Sequence, residues 1–449
     1  MDANRTMRKF FLLFLLSCSG LIAKAQDHSQ QLDYLMSTYF KLRKFNGTVL
    51  VTQKGKVLLQ KGYGYQNVKT RVPNDAHTVY QIASVTKPFT STLALKMAEL
   101  KKLQLTDPLS KFFPGFPKGD SITIRHLLSH TSGISDHEAD STKTIKSAAE
   151  EESVIERLKA RPLDFDPGTD WRYSNSGYIL LGYILEKVSH MSYYEAIRKY
   201  IFEPAGMQQS AFDFARLKSP HKATGYWVFP EDKNAEVAKL INYDKPKAAG
   251  AIYSTAGDLC KFHKALQAGS LVSPALLKEA YTPVALNYGY GWIIESANDK
   301  QLVSHSGDIW GFKAEFARVP EDDICIVLLS NAEDLELHAI TFKIVSIVSG
   351  KPYQFPAQNK VVLDEATLKS YTGKYELRPG EFIEVRTVRR RLMAETSTTQ
   401  EMYCQQKDSF LLDNGRDQRA VTFERDSVGA VVSLSFINGE QKVICRKVN

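Results

Sequence analysis

The apolar positions along the chain keep changing their period, and each change marks an element. An amphipathic stretch over Gln31–Arg43 predicts an N-terminal helix. Val49 and Val51, then Val57 and Leu59, alternate around Lys54-Gly55, which predicts a β-hairpin over Gly47–Tyr63. From Phe89 to Leu103 the period is helical, with Leu93, Leu95, Met97, Leu100 and Leu103 recurring around Ala94 and Ala98. Shorter helices are expected over Ile122–Ser129, Glu150–Lys159, Ser176–Val188 and Tyr194–Tyr200, and Ser254 is expected to cap another. Alternation returns at Tyr288. Gly289–Ile294 and Gln301–His305 read as a hairpin, Phe312–Val319 and Ile324–Ser330 as two more strands, and Leu335–Val348 as a closing helix. Strands at both ends with helices between them predict an α/β (α+β) domain: one sheet built from N- and C-terminal parts, with a mostly helical insert.

The pattern breaks after this. Lys351–Lys360 carries two prolines, few apolar residues and no period, and reads as a linker. Leu368–Asn449 then shows short alternating segments with hairpin turns at Asp413-Asn414-Gly415 and Asn438-Gly439, the signature of a small all-β barrel. Arg389-Arg390-Arg391 reads as a charged hairpin tip.

The first residues stand apart from the fold. Arg5, Arg8 and Lys9 precede an apolar run from Phe10 to Leu16, and Ala23-Lys24-Ala25 offers a small-x-small cleavage site before Gln26. This predicts a signal peptide over residues 1–25 and a periplasmic or secreted protein. The alternative is a lipoprotein anchored at Cys18 after Leu15-Leu16-Ser17. The run is too short to span a bilayer, and no later segment is apolar enough to do so. Export implies an oxidising compartment, in which Cys404 and Cys445 either bridge or remain buried thiols. The net charge of +8 comes without a run of basic residues interleaved with aromatics, so no nucleic-acid groove is expected.

Candidate chemistry centres on Ser84 and Lys87. Positions i and i+3 share a helix face. Pro88 is tolerated only in a first helical turn, which places Ser84 at a helix N-terminus, where backbone N–H groups and the dipole favour negative charge. A serine needs a base beside it. For a lysine to be half neutral at pH 7 its pKa must fall by ~3.4 units, or ~4.6 kcal/mol, which demands burial. His126 and His130 have the i,i+4 spacing of a zinc helix, but Leu127 stands where the usual glutamate would be. A histidine bonding its own loop is expected instead, with no metal. Gly62 and Gly64 are followed by no third glycine and open no helix, so they are not a dinucleotide fingerprint, and no cofactor is expected.

Two further segments complement the pair: Tyr173-Ser174-Asn175 in a loop, and His305-Ser306-Gly307 at a strand end. With Ser84-Val85-Thr86-Lys87 ahead of them, these resemble the S-x-x-K, Y-x-N and K-T-G or H-x-G motifs of the serine β-lactamase and penicillin-binding-protein-like family. The most similar branch is that of class C β-lactamases, D-alanyl-D-alanine carboxypeptidases and esterases. Ile124–Ile134, Tyr288–Trp292 and Gly311-Phe312 also look familial, and the resemblance spans about Gln31 to Val348. The C-terminal segment resembles the lipocalin-like β-domain appended to such hydrolases.

The resemblance implies a β-lactamase/transpeptidase-like antiparallel sheet flanked by helices, with a helical subdomain. The hydrolase domain would be 26–350, the linker 351–362 and the barrel 363–449. It also implies acyl transfer. Ser84 would be the nucleophile, Lys87 and Tyr173 would share acid–base work, and Asn175 would bond Lys87 and substrate. His305, Ser306 and Gly307 would line the substrate site, and the backbone N–H groups of Ser84 and Asp308 would form an oxyanion hole. The implied substrate is a small molecule or peptide, with peptidoglycan-derived peptides as one class. A D-amino-acid peptide, ester or amide is expected as acyl donor. The alternative is a non-catalytic penicillin-binding, sensing or envelope-interaction protein on the same fold. Two departures matter. His305 replaces a common lysine and makes any carboxylate recognition pH-sensitive. Asp308 replaces a small residue and is expected to turn its carboxylate away.

Overall fold

A computed structural model describes residues 28–136, 148–230, 236–240, 246–332, 336–388, 390–396 and 399–448. The expected leader, residues 1–25, lies outside them, as does Cys18. The described residues form two compact units, the first ending at Leu337 and the second beginning at His338.

In the first unit a helix α1 spans residues 28–41. Six strands follow in chain order: β1 (Gly47–Gln53), β2 (Lys56–Tyr63), β3 (Ile293–Ala297), β4 (Lys300–Ile309), β5 (Phe312–Val319) and β6 (Ile324–Ser330). They make an antiparallel sheet in the order β2-β1-β6-β5-β4-β3. The two ends of the unit meet where β1 pairs with β6, from Gly47 opposite Ser330 to Gln53 opposite Ile324. Both strands are almost wholly buried, which is why β6 reads as a continuous apolar run and why even Thr48 and Thr52 of β1 are out of solvent.

The helix over Thr86–Glu99 (α2) is buried on nearly every side, from Thr86 to Leu95 and again at Met97. Its hydroxyls are satisfied internally: Thr90 donates to the Ala248 carbonyl at 2.6 Å, and Ser91 to the Tyr290 carbonyl at 2.5 Å. Phe89 stacks on Phe262 of the Ala256–Gln267 helix, ring centres 4.0 Å apart. The apolar helix Asn175–Ser189 and the short helix Lys247–Gly250 complete the surroundings of α2. One cap differs from expectation. Thr255, not Ser254, accepts from the Asp258 N–H, because the Ser254 hydroxyl is engaged by Ser210 at 2.8 Å.

The second unit holds a helix over Leu337–Val348, a helix over Glu365–Tyr371 and a closed barrel. The barrel strands are Gly373–Arg378, Glu381–Val388, Arg391–Glu395, Thr399–Gln406, Ser409–Asp413, Gln418–Arg425, Val431–Asn438 and Gln441–Val448. Tyr371, Tyr375, Phe410 and Phe423 fill its core. The stretch expected to be a linker is tied to the barrel wall: Lys360 N–H donates to the Cys404 carbonyl, and Ala357 N–H to Asp413. Asp413 also pairs with Lys343 at 3.1 Å, both side chains almost fully buried. The helix that closes the sheet in the sequence reading therefore groups with the barrel. Cys404 and Cys445 are separate buried thiols, so the bridge that one reading allows is not formed. Arg390 sits in the turn between the second and third barrel strands, and Arg389 lies outside the described residues.

Candidate active site

The site begins with a strained turn. Tyr80-Gln81 pairs with Tyr253-Ser254, and Ile82 N–H donates to the Ile252 carbonyl at 3.0 Å. Ala83 then adopts φ 47°, a left-handed conformation that a side chain disfavours. A short 3-10 turn, Ala83–Val85, leads straight into α2 with no side-chain cap. Ser84 is thus half-buried at a helix start. Gly307 of β4 presses on this turn. A Cβ there would lie 2.1 Å from the Ile82 carbonyl oxygen and 3.3 Å from the Ala83 Cβ. The close approach that requires glycine here is to the protein's own Ser84 turn.

Lys87 is fully buried, and its Nζ has three neighbours: Ser84 Oγ at 3.1 Å, Asn175 Oδ1 at 2.7 Å and the Ala249 carbonyl at 2.9 Å. Two of the three can only accept. A neutral amine has two N–H donors and one lone pair. With both donors spent on Asn175 and Ala249, the lone pair is left facing the Ser84 hydroxyl. Burial lowers the Lys87 pKa from 10.5 to about 7, against the opposing pull of the Asp136 charge. Burial thus brings the neutral amine within reach near neutral pH.

Tyr173 completes the constellation. Its half-buried phenol shares a hydrogen bond with Ser84, and Lys87 Nζ lies 4.7 Å from its ring centre. Burial and the Asp136 charge raise its pKa above the usual value, with the Ser84 hydrogen bond pulling the other way. It is a neutral phenol at neutral pH, so the resting site holds no tyrosinate.

Asp136, which no motif in the sequence singles out, organises this group. It accepts from the Asn175 N–H at 2.9 Å and from Asn175 Nδ2 at 3.0 Å. His130 accepts from the Ser174 N–H at 3.1 Å through Nδ1 and packs 4.3 Å from the Tyr173 ring. His126 caps its own helix, exchanging hydrogen bonds with Thr123. The two histidines thus serve the loop and the helix. Among the described residues no cluster of three or more His, Cys, Asp or Glu is placed to hold a metal.

His305 is buried and bonded on both nitrogens. Nδ1 lies 2.7 Å from the Ser306 carbonyl, so it carries the proton, and Nε2 accepts from the Tyr288 hydroxyl at 2.9 Å. Burial and the Lys87 charge lower its pKa to about 3, against the Ser306 carbonyl contact. The imidazolium expected to recognise a carboxylate is not available at working pH. The Ser306 hydroxyl is taken by buried Glu315 at 2.6 Å. Asp308 is exposed and its carboxylate pairs with Lys313 at 2.6 Å. Ser84, Lys87, Tyr173 and Asn175 therefore meet in one place, with His305 and Gly307 forming a wall. The Ser306 and Asp308 side chains are engaged elsewhere.

A family model described as Beta-lactamase matches residues 36–344. Penicillin-binding protein 4* of Bacillus subtilis (strain 168) is 33% identical over 402 residues, covering 82% of this chain and 88% of that protein. Protein flp of Staphylococcus aureus (strain MW2) is 30% identical over 360 residues, 75% of this chain and 71% of that one. Among solved structures, the octameric penicillin-binding protein homologue from Pyrococcus abyssi superposes with a TM-score of 0.65 at 27% identity, covering 92% of this chain and 99% of the other. The D-amino acid amidase of Ochrobactrum anthropi SV3, at a TM-score of 0.63 and 22% identity over 72% of this chain and 99% of that one, shares the fold. With a family match over more than half of its length and relatives of this extent, the chain belongs to the Beta-lactamase family of serine hydrolases and acyl-transferases.

Proposed function

We propose that this protein is an exported serine hydrolase that works through an acyl-enzyme on Ser84, with a D-amino-acid peptide, ester or amide as acyl donor. The observation that carries the proposal is the arrangement of Lys87, whose two N–H bonds go to carbonyl acceptors while Ser84 Oγ lies 3.1 Å away. Neutral Lys87 takes the Ser84 proton as Oγ attacks the substrate carbonyl. The oxygen that becomes negative is received by the backbone N–H groups of Ser84 and Asp308. Tyr173 passes a proton to the leaving group, and water then releases the acyl group by the reverse sequence. The neutral His305 supports uncharged recognition, in keeping with ester or amide donors. The names of the relatives, penicillin-binding proteins and a D-amino acid amidase, point to the same class of donor.

Incubation with a fluorescent penicillin or a fluorophosphonate tests the proposal. One label per chain is expected, lost in Ser84→Ala. Folded wild-type protein that takes neither label, and turns over neither p-nitrophenyl esters nor D-Ala-D-Ala peptides, excludes it and favours the binding-protein alternative. Export is tested separately by sequencing the mature N-terminus, expected at Gln26.

A further inference from the structure

Strand β4 is paired on both edges only at Val303 and Ser304. Lys300–Leu302 pair with β3 alone, and His305–Ile309 pair with β5 alone. Among the described residues no strand covers the outer edge from His305 onward, and this edge starts where Gly307 rests on the Ser84 turn. Three residues further, about 10 Å along the strand, it ends at Trp310. Trp310 is 45% exposed, and its indole packs against that of Trp227, ring centres 5.6 Å apart at 50°.

The pairing of these indoles is built by backbone. Gly311 has φ +81°, and a Cβ there would fall 2.6 Å from Ala238 Cβ and 2.8 Å from the Gly225 backbone. Gly225 in turn leaves room for the Phe312 ring, 2.6 Å from where its own Cβ would stand. Tyr226 N–H donates to the Gly311 carbonyl, and Ala238 N–H to the Gly225 carbonyl. The Tyr226-Trp227 segment thereby closes on the turn that carries Trp310. Val237, opposite Tyr226, is 56% exposed and widens the apolar surface. Beside it the Asp308–Lys313 pair supplies a polar rim. A tilted pair of indoles partly open to water beside a polar rim marks a ligand surface rather than a core.

We propose that Trp310 and Trp227 form the acyl-side subsite of the Ser84 centre and select donors with an aromatic or extended apolar acyl group. The subsite rests on the acyl-transfer role of Ser84: a donor lying along the open edge of β4, with its carbonyl at Ser84, delivers its acyl substituent to the indoles.

The test compares kcat/KM of the full chain on p-nitrophenyl acetate, hexanoate and phenylacetate. Trp310→Ala lowers the hexanoate and phenylacetate values by about tenfold and leaves acetate within about twofold, and Trp310→Phe recovers most of the loss. Equal losses on all three esters, or none, overturn the subsite. A second measurement separates this from the chemistry of Ser84. Phenylacetamide titrated into the Ser84→Ala protein gives a saturable change in tryptophan emission that Ser84→Ala/Trp310→Ala lacks. Such binding with no ester turnover by wild type removes the acyl-transfer role and keeps the aromatic site. Turnover of acetate with no saturable phenylacetamide signal removes the subsite and keeps Ser84.

Discussion

Asp136 grips Asn175 twice, through the backbone N–H at 2.9 Å and the side-chain amide at 3.0 Å. This double contact fixes which way the amide faces, since Nδ2 must point to the carboxylate and Oδ1 to Lys87. It also places the Asp136 charge where it opposes the effect of burial on Lys87. Asp136→Asn removes that opposition, so Lys87 loses its proton more easily. If neutral Lys87 is the base, kcat/KM rises with pH through an acid limb centred near 7 in the wild type. In Asp136→Asn the limb moves to lower pH, while kcat on the plateau falls because Asn175 is held less well. A pH–rate profile of both proteins on one ester checks this, and a limb that moves upward contradicts it.

Lys87 itself carries a stability cost with a definite sign. Its pKa is about 7 folded and 10.5 as a free side chain. Above 10.5 the amine is neutral in both states and costs nothing. As pH falls towards 7 the unfolded chain gains a proton that the folded chain refuses, and the cost grows to roughly 5 kcal/mol. Lys87→Met lowers kcat by about 10²–10⁴-fold. Its stability relative to wild type is most favourable below pH 7 and becomes steadily less so as pH rises. Urea denaturation of both proteins at pH 6.5 and 9.5 measures the difference, and a gap that does not change with pH contradicts the assigned shift.

Burial and the Lys87 charge push the His305 pKa down to about 3, well below the acid limb expected near 7. His305→Gln keeps an acceptor for Tyr288, and the acid limb near pH 7 is expected to survive in it. Disappearance of that limb would transfer the titration from Lys87 to His305.

Gly307→Ala drives a methyl group into the Ile82 carbonyl, 2.1 Å away. Neither partner is a flexible side chain, so strand or turn must shift. A loss of about 1–3 kcal/mol in thermal or urea unfolding is expected. A displacement of Ser84 of about 1 Å lowers kcat by about 10²-fold. Full activity in Gly307→Ala would show that the contact is not needed for alignment.

The parts of the site that were legible in the sequence are those set by short-range geometry. The i,i+3 spacing of Ser84 and Lys87 and the first-turn position of Pro88 specify the helix start directly. Ile324–Ser330 was readable because it is a continuous apolar run, and Phe312–Val319 because Phe312, Ala314 and Phe316 alternate with Lys313 and Glu315. What escaped was set by long-range packing. The Ala249 carbonyl that completes the Lys87 cradle is backbone, which carries no residue signature. Asp136 looked like any loop carboxylate until the fold brought it to Asn175, 39 positions away. His305 looked like a pH-sensitive cation because its free pKa lies near 6.5, and only its burial makes it neutral.

The buried contact between Lys343 and Asp413 changes how the barrel can be removed. Truncation at residue 363 deletes Asp413 with the 413–416 turn and bares the helix face that carries Lys343 and Phe342. Inactivity of such a fragment would report that bared apolar face as readily as a catalytic part for the barrel. A truncated chain that also carries Phe342→Gln presents a polar face there, and its turnover is the fair measure of what the barrel contributes.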